Sequence, residues 1–195
     1  MPETMEARDA VTTAPTPRGI RLAEIGDMGK IDLRGDPNER AFMSAVGRAL
    51  DLLLPTEPCR SAAQAGIAAL WIGPDQWLIT CPKGEVAEIQ EKLREVTKDA
   101  YAATTDISAG RTVFRLAGPS VFDVLSKGCP LDLHPRVVTP GYVAGSVLAK
   151  ITALIHLRDA DVVDIHVGRS FADYLWAWLE EAGMDCGLAV DRRPD

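Results

Sequence analysis

The sequence contains the same succession of hydrophobic patterns twice, and this repeat limits the folds open to the chain more than any other feature. The segment IDLRGDPNERAF aligns with FRLAGPSVFDVL, and IAALWIGPDQWLITCPKGEVAEIQEKL aligns with ITALIHLRDADVVDIHVGRSFADYLWAWL. Leucines in equivalent places recur at nearly constant separations, which are 83 residues from Leu33 to Leu116, 84 from Leu70 to Leu154 and 86 from Leu93 to Leu179. Such a period indicates tandem duplication of one supersecondary unit.

Each copy has the pattern of a strand, a helix, a hairpin and a second helix. In the first copy, apolar residues recur at helical spacing through DPNERAFMSAVGRALDLLLP. Asp36 is suited to cap this helix, Pro37 fits its first turn and Glu39 would complete a capping box. In the second copy, Ser170 and Asp173 have the spacing of a capping box at the start of the last helix.

The hairpins and the short apolar segments complete the predicted unit. The first hairpin turns at Gly73-Pro74-Asp75 and the second at Asp159-Ala160-Asp161, and IRLAEIGDMGKIDLRG predicts two further strands around Gly26-Asp27. Adding YAATTDI and GLAVD as strands gives the order β-α-β-β-α-β twice. We therefore predict an α+β fold, a tandem duplication of a ferredoxin-like unit whose antiparallel sheets are covered by helices.

The chain is predicted to consist of an arm and two repeats. Residues 1–19 are rich in Pro, Thr and Ala, which predicts a flexible N-terminal arm. The first α+β repeat is assigned to residues 20–107 and the second to residues 108–195, packed as one compact unit.

Charge and cysteine usage narrow the functional classes. The net charge is −7 over 195 residues and the basic residues are scattered, which argues against a nucleic-acid or anionic-membrane surface. No apolar run approaches the roughly 18 residues that span a bilayer, and the N-terminus lacks the apolar region of a signal peptide. The four cysteines form no CxxC pair, so free thiols in the cytoplasm are expected; they are Cys59, Cys81, Cys129 and Cys186.

The segment SKGCPLDLHP brings together the residue types of a thiol enzyme. Cys129, Asp132 and His134 lie within six residues of one another. A thiol nucleophile and its histidine base must be close in space, and such a short segment could bring them together. However, Cys129 follows the predicted C-terminal end of a helix, where the helix dipole disfavours a thiolate. We therefore favour a rigid connector that Leu131 and Leu133 anchor to the core.

The second hairpin carries two histidines and an aspartate. A turn centred on Ala160 places His156 opposite Asp164 and His166 opposite Leu154. A His–Asp pair could orient a general base. Because no nucleophile or glycine-rich loop is near in sequence, we favour a polar face exposed to solvent opposite an apolar core face.

The first hairpin is apolar on both faces, through Ile67, Leu70, Trp71, Ile72, Trp77, Leu78 and Ile79. Such a ribbon must be covered on both sides, and packing between the two repeats is favoured over a partner interface. Trp176 lies away from the apolar stripe of the last helix, which makes it a candidate partner contact. The candidates for contacts with partner chains are Trp71, Trp77, Leu131, Leu133 and Trp176.

No phosphate-binding motif of the GxGxxG or GxxxxGK[ST] type occurs, and the residues alone predict no catalytic, cofactor-binding or metal-binding site. The segments TDISAGRTVFRLAGPSVFDVLSKGCPLDLHP and RSFADYLWAWLEEAG resemble the gamma-subunit family of bacterial heterotetrameric sarcosine oxidases, with similarity from about Leu22 to Gly183. A more distant resemblance is to the folate-binding aminomethyltransferase (glycine-cleavage T-protein) superfamily, at Asp106, Ser108, Gly118 and Pro119. Val121 departs from that pattern, in which a small residue is common.

The gamma-subunit resemblance implies a non-catalytic, structural subunit. In that family the complex oxidatively demethylates sarcosine with oxygen and tetrahydrofolate, giving glycine, methylenetetrahydrofolate and hydrogen peroxide. The alpha, beta and delta subunits are the implied partners, and they are implied to carry NAD, FAD, FMN and zinc, with none of these cofactors in this chain. The alternative is a free-standing folate-binding protein or aminomethyltransferase-like enzyme that uses Asp106.

Overall fold

The computed structural model describes residues 19–191, so all of the predicted N-terminal arm except Gly19 lies outside the described residues. The strands in this range are β1 (Ile20–Glu24), β2 (Met28–Arg34), β3 (Ser61–Gln64), β4 (Ile67–Gly73), β5 (Gln76–Pro82), β6 (Ala103–Asp106), β7 (Arg111–Ala117), β8 (Val143–Leu148), β9 (Ile151–Asp159), β10 (Val162–Gly168) and β11 (Leu188–Val190). The helices are α1 (Arg40–Leu50), α2 (Val86–Thr97), α3 (Val121–Ser126) and α4 (Ala172–Gly183). None of these helices combines the length and the apolar character that a membrane crossing demands.

Two sheets repeat one plan, as the duplicated sequence predicts. The first sheet has the order β3-β4-β5-β2-β6 and the second has the order β8-β9-β10-β7-β1-β11. Leu33 and Leu116 occupy β2 and β7, while Leu93 and Leu179 occupy α2 and α4. The α+β class and the ferredoxin-like duplication are therefore confirmed, with one strand more per copy than predicted, because β3 and β8 each add an edge strand.

The strands β1 and β6 lie in exchanged positions. β1 precedes β2 in the chain but pairs with β7, whereas β6 precedes β7 but pairs with β2. The predicted boundary between residues 107 and 108 falls between β6 and β7, yet the first strand of the predicted first repeat belongs to the sheet of the second. If the copies are instead taken to begin at β1 and at β6, each copy contributes its first strand to the other copy's sheet.

The apolar side chains form three clusters that define the layers. One cluster joins the second sheet to α3 and α4, and another joins the first sheet to α1 and α2. The third lies between the two sheets and contains Leu70, Leu78, Val143 and Leu154. The first hairpin is therefore covered on both faces, and the predicted packing between the repeats is confirmed.

Two helix starts differ from the predicted ones. The carboxylate of Asp36 accepts a hydrogen bond from the backbone N–H of Asn38 (2.8 Å) instead of capping a helix, so α1 begins only at Arg40. At α4, a 3-10 turn spans Arg169–Phe171 and no side chain caps the helix, so the predicted capping box is wrong. Both helices are held by burial of one apolar face, and this packing does not need a cap.

Candidate functional site

The predicted cysteine–histidine pair does not form. Cys129 is buried, and its Sγ lies 3.8 Å from the hydroxyl of Ser146. The ring Nδ1 of His134 instead accepts a hydrogen bond from the backbone N–H of Arg136, at 3.1 Å. The carboxylate of Asp132 accepts the N–H of His134 at 3.0 Å, so this aspartate shapes a turn. The segment has the structure of a connector and lacks the contacts of a nucleophile and its base.

The two leucines of this connector pack on the core of the second sheet. Leu133 is 7% exposed within that cluster, and Leu131 is half-buried against it. Their predicted anchoring role is confirmed. Leu133 is consequently too buried to touch another chain, and its candidacy as a partner contact was wrong.

The three tryptophan candidates for partner contacts are also partly or wholly covered. Trp77 is fully buried, and its indole N–H donates to the carbonyl of Pro55 at 2.7 Å, so its candidacy was wrong. Trp71 is half-buried on the first core. Trp176 is half-buried against Phe114, with ring centroids 5.5 Å apart. Trp71, Trp176 and Leu131 remain predicted partner contacts.

The densest group of polar side chains lies between the two sheets, and we call it the inter-sheet polar cluster. Its members are Lys30, Arg115, His156, Asp164 and His166. All five side chains are ionisable and all five are buried, although most such groups lie at protein surfaces. The predicted pairing of His156 with Asp164 and of His166 with Leu154 is confirmed. The predicted solvent exposure of this face is wrong, because the first sheet covers it.

Arg115 and Asp164 form the centre of the inter-sheet polar cluster. Nε and Nη2 of Arg115 donate to the two carboxylate oxygens of Asp164 at 2.7 Å and 3.0 Å, and Arg158 adds a contact of 3.4 Å. Burial opposes ionisation of Asp164, but the hydrogen bonds and charge of Arg115 outweigh it and hold the carboxyl pKa below its usual range. The pair is a bidentate ion pair shielded from solvent.

The two histidines beside this pair are neutral. Burial is the main cause that lowers the pKa of His156 to about 4 and that of His166 to about 3, and it outweighs the attraction of Asp164. Nε2 of His156 lies 3.1 Å from the hydroxyl of Ser61 on the opposite sheet. Neither ring nitrogen of His166 has a hydrogen-bond partner among the described residues.

Lys30 connects the cluster to the 3-10 turn at Ser108–Gly110. Its Nζ donates to the carbonyl oxygens of Met28 (2.9 Å) and Ser108 (3.5 Å). Burial, reinforced by the charge of Lys83, lowers its pKa, while Asp106 opposes this change. Lys30 and Arg115 were missed in the sequence, where the available signal was a basic residue directly before or between apolar residues of a strand, as in Lys30-Ile31 and Phe114-Arg115-Leu116.

Asp106, the candidate folate-site carboxylate, is exposed at the end of β6. Its Oδ1 accepts hydrogen bonds from the hydroxyl (2.6 Å) and the backbone N–H (2.8 Å) of Ser108. These bonds lower the pKa of Asp106, so the group stays ionised and is a weaker base than a free carboxylate. The arrangement is that of a turn-stabilising aspartate.

Comparisons with known proteins agree on one family. Residues 34–185 match the family described as "Sarcosine oxidase, gamma subunit family". The sarcosine oxidase subunit gamma of Corynebacterium sp. (strain P-1) is 31% identical over 175 residues, which are 89% of this chain and 85% of that protein.

Two solved structures share the fold. A chain of the heterotetrameric sarcosine oxidase from Corynebacterium sp. U-96, in complex with pyrrole 2-carboxylate, matches with a TM-score of 0.81 and 28% identity, over 89% of this chain and 88% of that one. The glycine cleavage system aminomethyltransferase T from Bartonella henselae matches with a TM-score of 0.63 and 15% identity, over 88% of this chain and 47% of that one, which shows a common fold. From the sequence match across residues 34–185, the chain belongs to the sarcosine oxidase gamma subunit family.

Proposed function

We propose that this chain is the gamma subunit of a cytoplasmic heterotetrameric sarcosine oxidase, in which it has a structural role. The alpha, beta and delta subunits are its partners, and the complex oxidatively demethylates sarcosine with oxygen and tetrahydrofolate. The family match and the U-96 complex support membership in such an assembly. Four free cysteines are compatible with the reducing cytoplasm.

The observation that carries the structural role is the enclosure of the inter-sheet polar cluster. His156, Asp164 and His166 are 7%, 1% and 1% exposed. A general acid or base must reach the proton that it transfers, either directly or through one water. These groups are covered by the two sheets, and His156 contacts Ser61 of the opposite sheet. We therefore infer that they support the packing of the fold and do not meet a substrate.

We propose further that NAD, FAD, FMN and zinc are held by the other subunits. Within residues 19–191, no three His, Cys, Asp or Glu side chains converge in a way that could hold a metal ion. Burial raises the pKa of the Cys81 thiol to about 11, which keeps it protonated and a poor ligand or nucleophile.

Co-expression with the neighbouring subunits tests the proposal. An affinity tag on this chain should recover three other chains in equal amounts together with flavin absorbance, and the complex should oxidise sarcosine. The isolated chain should show no turnover with sarcosine and tetrahydrofolate. Turnover by the isolated chain, or its recovery without any companion, would contradict the proposal.

A further inference from the structure

The exchanged strands β1 and β6 occupy equivalent positions in the two sheets. The N–H of Ile25, just after β1, donates to the carbonyl of Val113 at 2.9 Å, and the N–H of Ile107, just after β6, donates to the carbonyl of Lys30 at 2.9 Å. The backbone N–H and C=O groups alternate in direction along an antiparallel strand. Those of Ile25 and Ile107 point to the inner neighbour, so those of the residues directly before them, and of every second residue further back, point away from it. The outward residues are Ile20, Leu22 and Glu24 in β1, and Thr104 and Asp106 in β6.

The outward edge of β1 is covered by β11. β11 runs parallel to β1, with Ile20 opposite Leu188 and Leu22 opposite Val190. The carbonyl of Leu22 accepts a hydrogen bond from the N–H of Asp191 at 2.9 Å. The second sheet therefore ends in a strand that satisfies the outward groups of β1.

The corresponding edge of β6 is open within residues 19–191. β6 is the terminal strand of the first sheet and pairs only with β2 there. The carbonyl of Thr104, which is equivalent to that of Leu22, accepts a longer hydrogen bond of 3.3 Å from the side-chain amide of Gln90. Ala103, Thr105 and Asp106 are exposed. A strand edge in this state is a template for another strand.

A groove of about 690 Å³ adjoins the open edge at Ala103. Its wall includes Asp36, Asp75 and Arg34, and Nη1 of Arg34 lies 3.9 Å from the carboxylate of Asp75, so one carboxylate remains in excess over the single guanidinium. Tyr101 also lines the groove and is 99% exposed. An excess of negative charge beside an uncovered tyrosine is suited to an extended protein segment that carries a basic residue.

We propose that an extended segment of another subunit of the complex adds to β6 as a further strand, and this inference rests on the proposed function. The segment runs parallel to β6, as β11 does on β1, and donates an N–H to the carbonyl of Thr104 in place of Gln90. Its basic side chain lies in the groove at Asp36 and Asp75. Main-chain hydrogen bonds supply the attraction, as in other cases of strand addition.

Thr104→Pro tests the outward edge of β6 without removing the hydrogen bonds between β6 and β2. Proline removes the outward N–H and places its ring in the path of an added strand, but the bonds between β6 and β2 come from the alternate residues. Ala103, which would precede the proline, is already in the extended conformation that this position requires. Thr104→Ala retains the backbone N–H and serves as the matched control.

The measurements are the affinity of each tagged full-length variant for the other co-expressed subunits and the hydrogen exchange of the Thr104 and Asp106 amides before and after assembly. Thr104→Pro should unfold at nearly the same temperature as Thr104→Ala but associate about tenfold or more weakly, which corresponds to the loss of one or two hydrogen bonds. In the unmodified chain, the amides of Thr104 and Asp106 should become protected on assembly.

The outcomes separate this inference from the proposed function. If the unmodified chain assembles and Thr104→Pro assembles equally well, strand addition at β6 is wrong while the subunit role stands. If the unmodified chain does not assemble, the subunit role is wrong. Protection of the Thr104 and Asp106 amides in the isolated chain, with or without dimerisation, would show that this chain covers its own edge and would overturn the assignment to another subunit.

Discussion

Arg115 and Asp164, from adjacent strands β7 and β10, form a bidentate ion pair at the centre of the molecule, with contacts of 2.7 Å and 3.0 Å. Both are nearly inaccessible, at 6% and 1% exposure. A buried charge without its partner is costly, whereas the pair itself adds modest stability. The pair therefore links β7 to β10 within the second sheet, on the face that the first sheet covers.

Asp164→Asn should destabilise the chain by about 3 kcal/mol, because it leaves the Arg115 guanidinium without its buried counter-charge. The measurement is the free energy of unfolding in urea at neutral pH. Asp161→Asn is the matched control, since Asp161 is exposed on the same hairpin. Equal effects of the two substitutions would show that the ion pair is not enclosed as described.

Acid should destabilise the fold through the buried histidines. Folding lowers the pKa of His156 from 6.5 to about 4 and that of His166 from 6.5 to about 3. Below pH 6.5 the unfolded chain therefore binds protons that the folded chain does not. The unfolding free energy should fall by about 1.4 kcal/mol per pH unit for each histidine, beginning near pH 6.5 and continuing to the folded-state pKa values.

His166→Leu should roughly halve this slope between pH 6 and pH 5. It should also raise stability at pH 7, because burial of an unbonded ring nitrogen costs about 1–3 kcal/mol. His134→Gln is the control, because His134 is exposed. An unchanged slope in His166→Leu would show that this ring is accessible to protons in the folded chain.

Packing between the sheets is tested at Leu78, which is 1% exposed in the inter-sheet cluster. Leu78→Ala should lower the unfolding free energy by about 2–5 kcal/mol through the lost contacts and the cavity. Leu53→Ala is the control, because Leu53 is 80% exposed. If Leu78→Ala costs as little as the control, the two sheets are not in close contact there.

Gly118, just before α3, has a backbone conformation and a close neighbour that require glycine. Its φ is +133°, and a Cβ there would lie 2.4 Å from the carbonyl oxygen of Gly19. Gly118→Ala should therefore cost about 2 kcal/mol or more in thermal unfolding. Gly145→Ala should be neutral or slightly stabilising, since a Cβ at Gly145 meets open space. A neutral Gly118→Ala would contradict the close approach of Gly19.

The sequence was most informative where a local pattern decides the structure. The turn at Ala160 determined the register that places His156 opposite Asp164, and the apolar character of the first hairpin predicted that both its faces are covered. The burial of the histidine face was not predictable, because alternation identifies a polar face without showing what lies against it.

The strand exchange was also beyond local patterns. β1 is only five residues long, and nothing within Ile20–Glu24 indicates pairing with Arg115 and its neighbours in the second copy. Similarly, aspartate is a common helix-capping residue, but the carboxylate of Asp36 accepts a hydrogen bond from the N–H of Asn38 in a turn. The partner of a short strand and the residue that begins a helix are determined by tertiary contacts, and a single sequence does not show these contacts.

The most direct test of a structural role is the kcat of the assembled complex containing Asp106→Asn, Cys129→Ala and His134→Gln together. These substitutions remove the carboxylate, thiol and imidazole that sequence patterns put forward for chemistry. The complex should retain its subunits and flavin, and its kcat for sarcosine should stay within about twofold, since no group with an acid–base role has been lost. A fall of about a hundredfold in kcat with assembly intact would show that this chain supplies a reacting group.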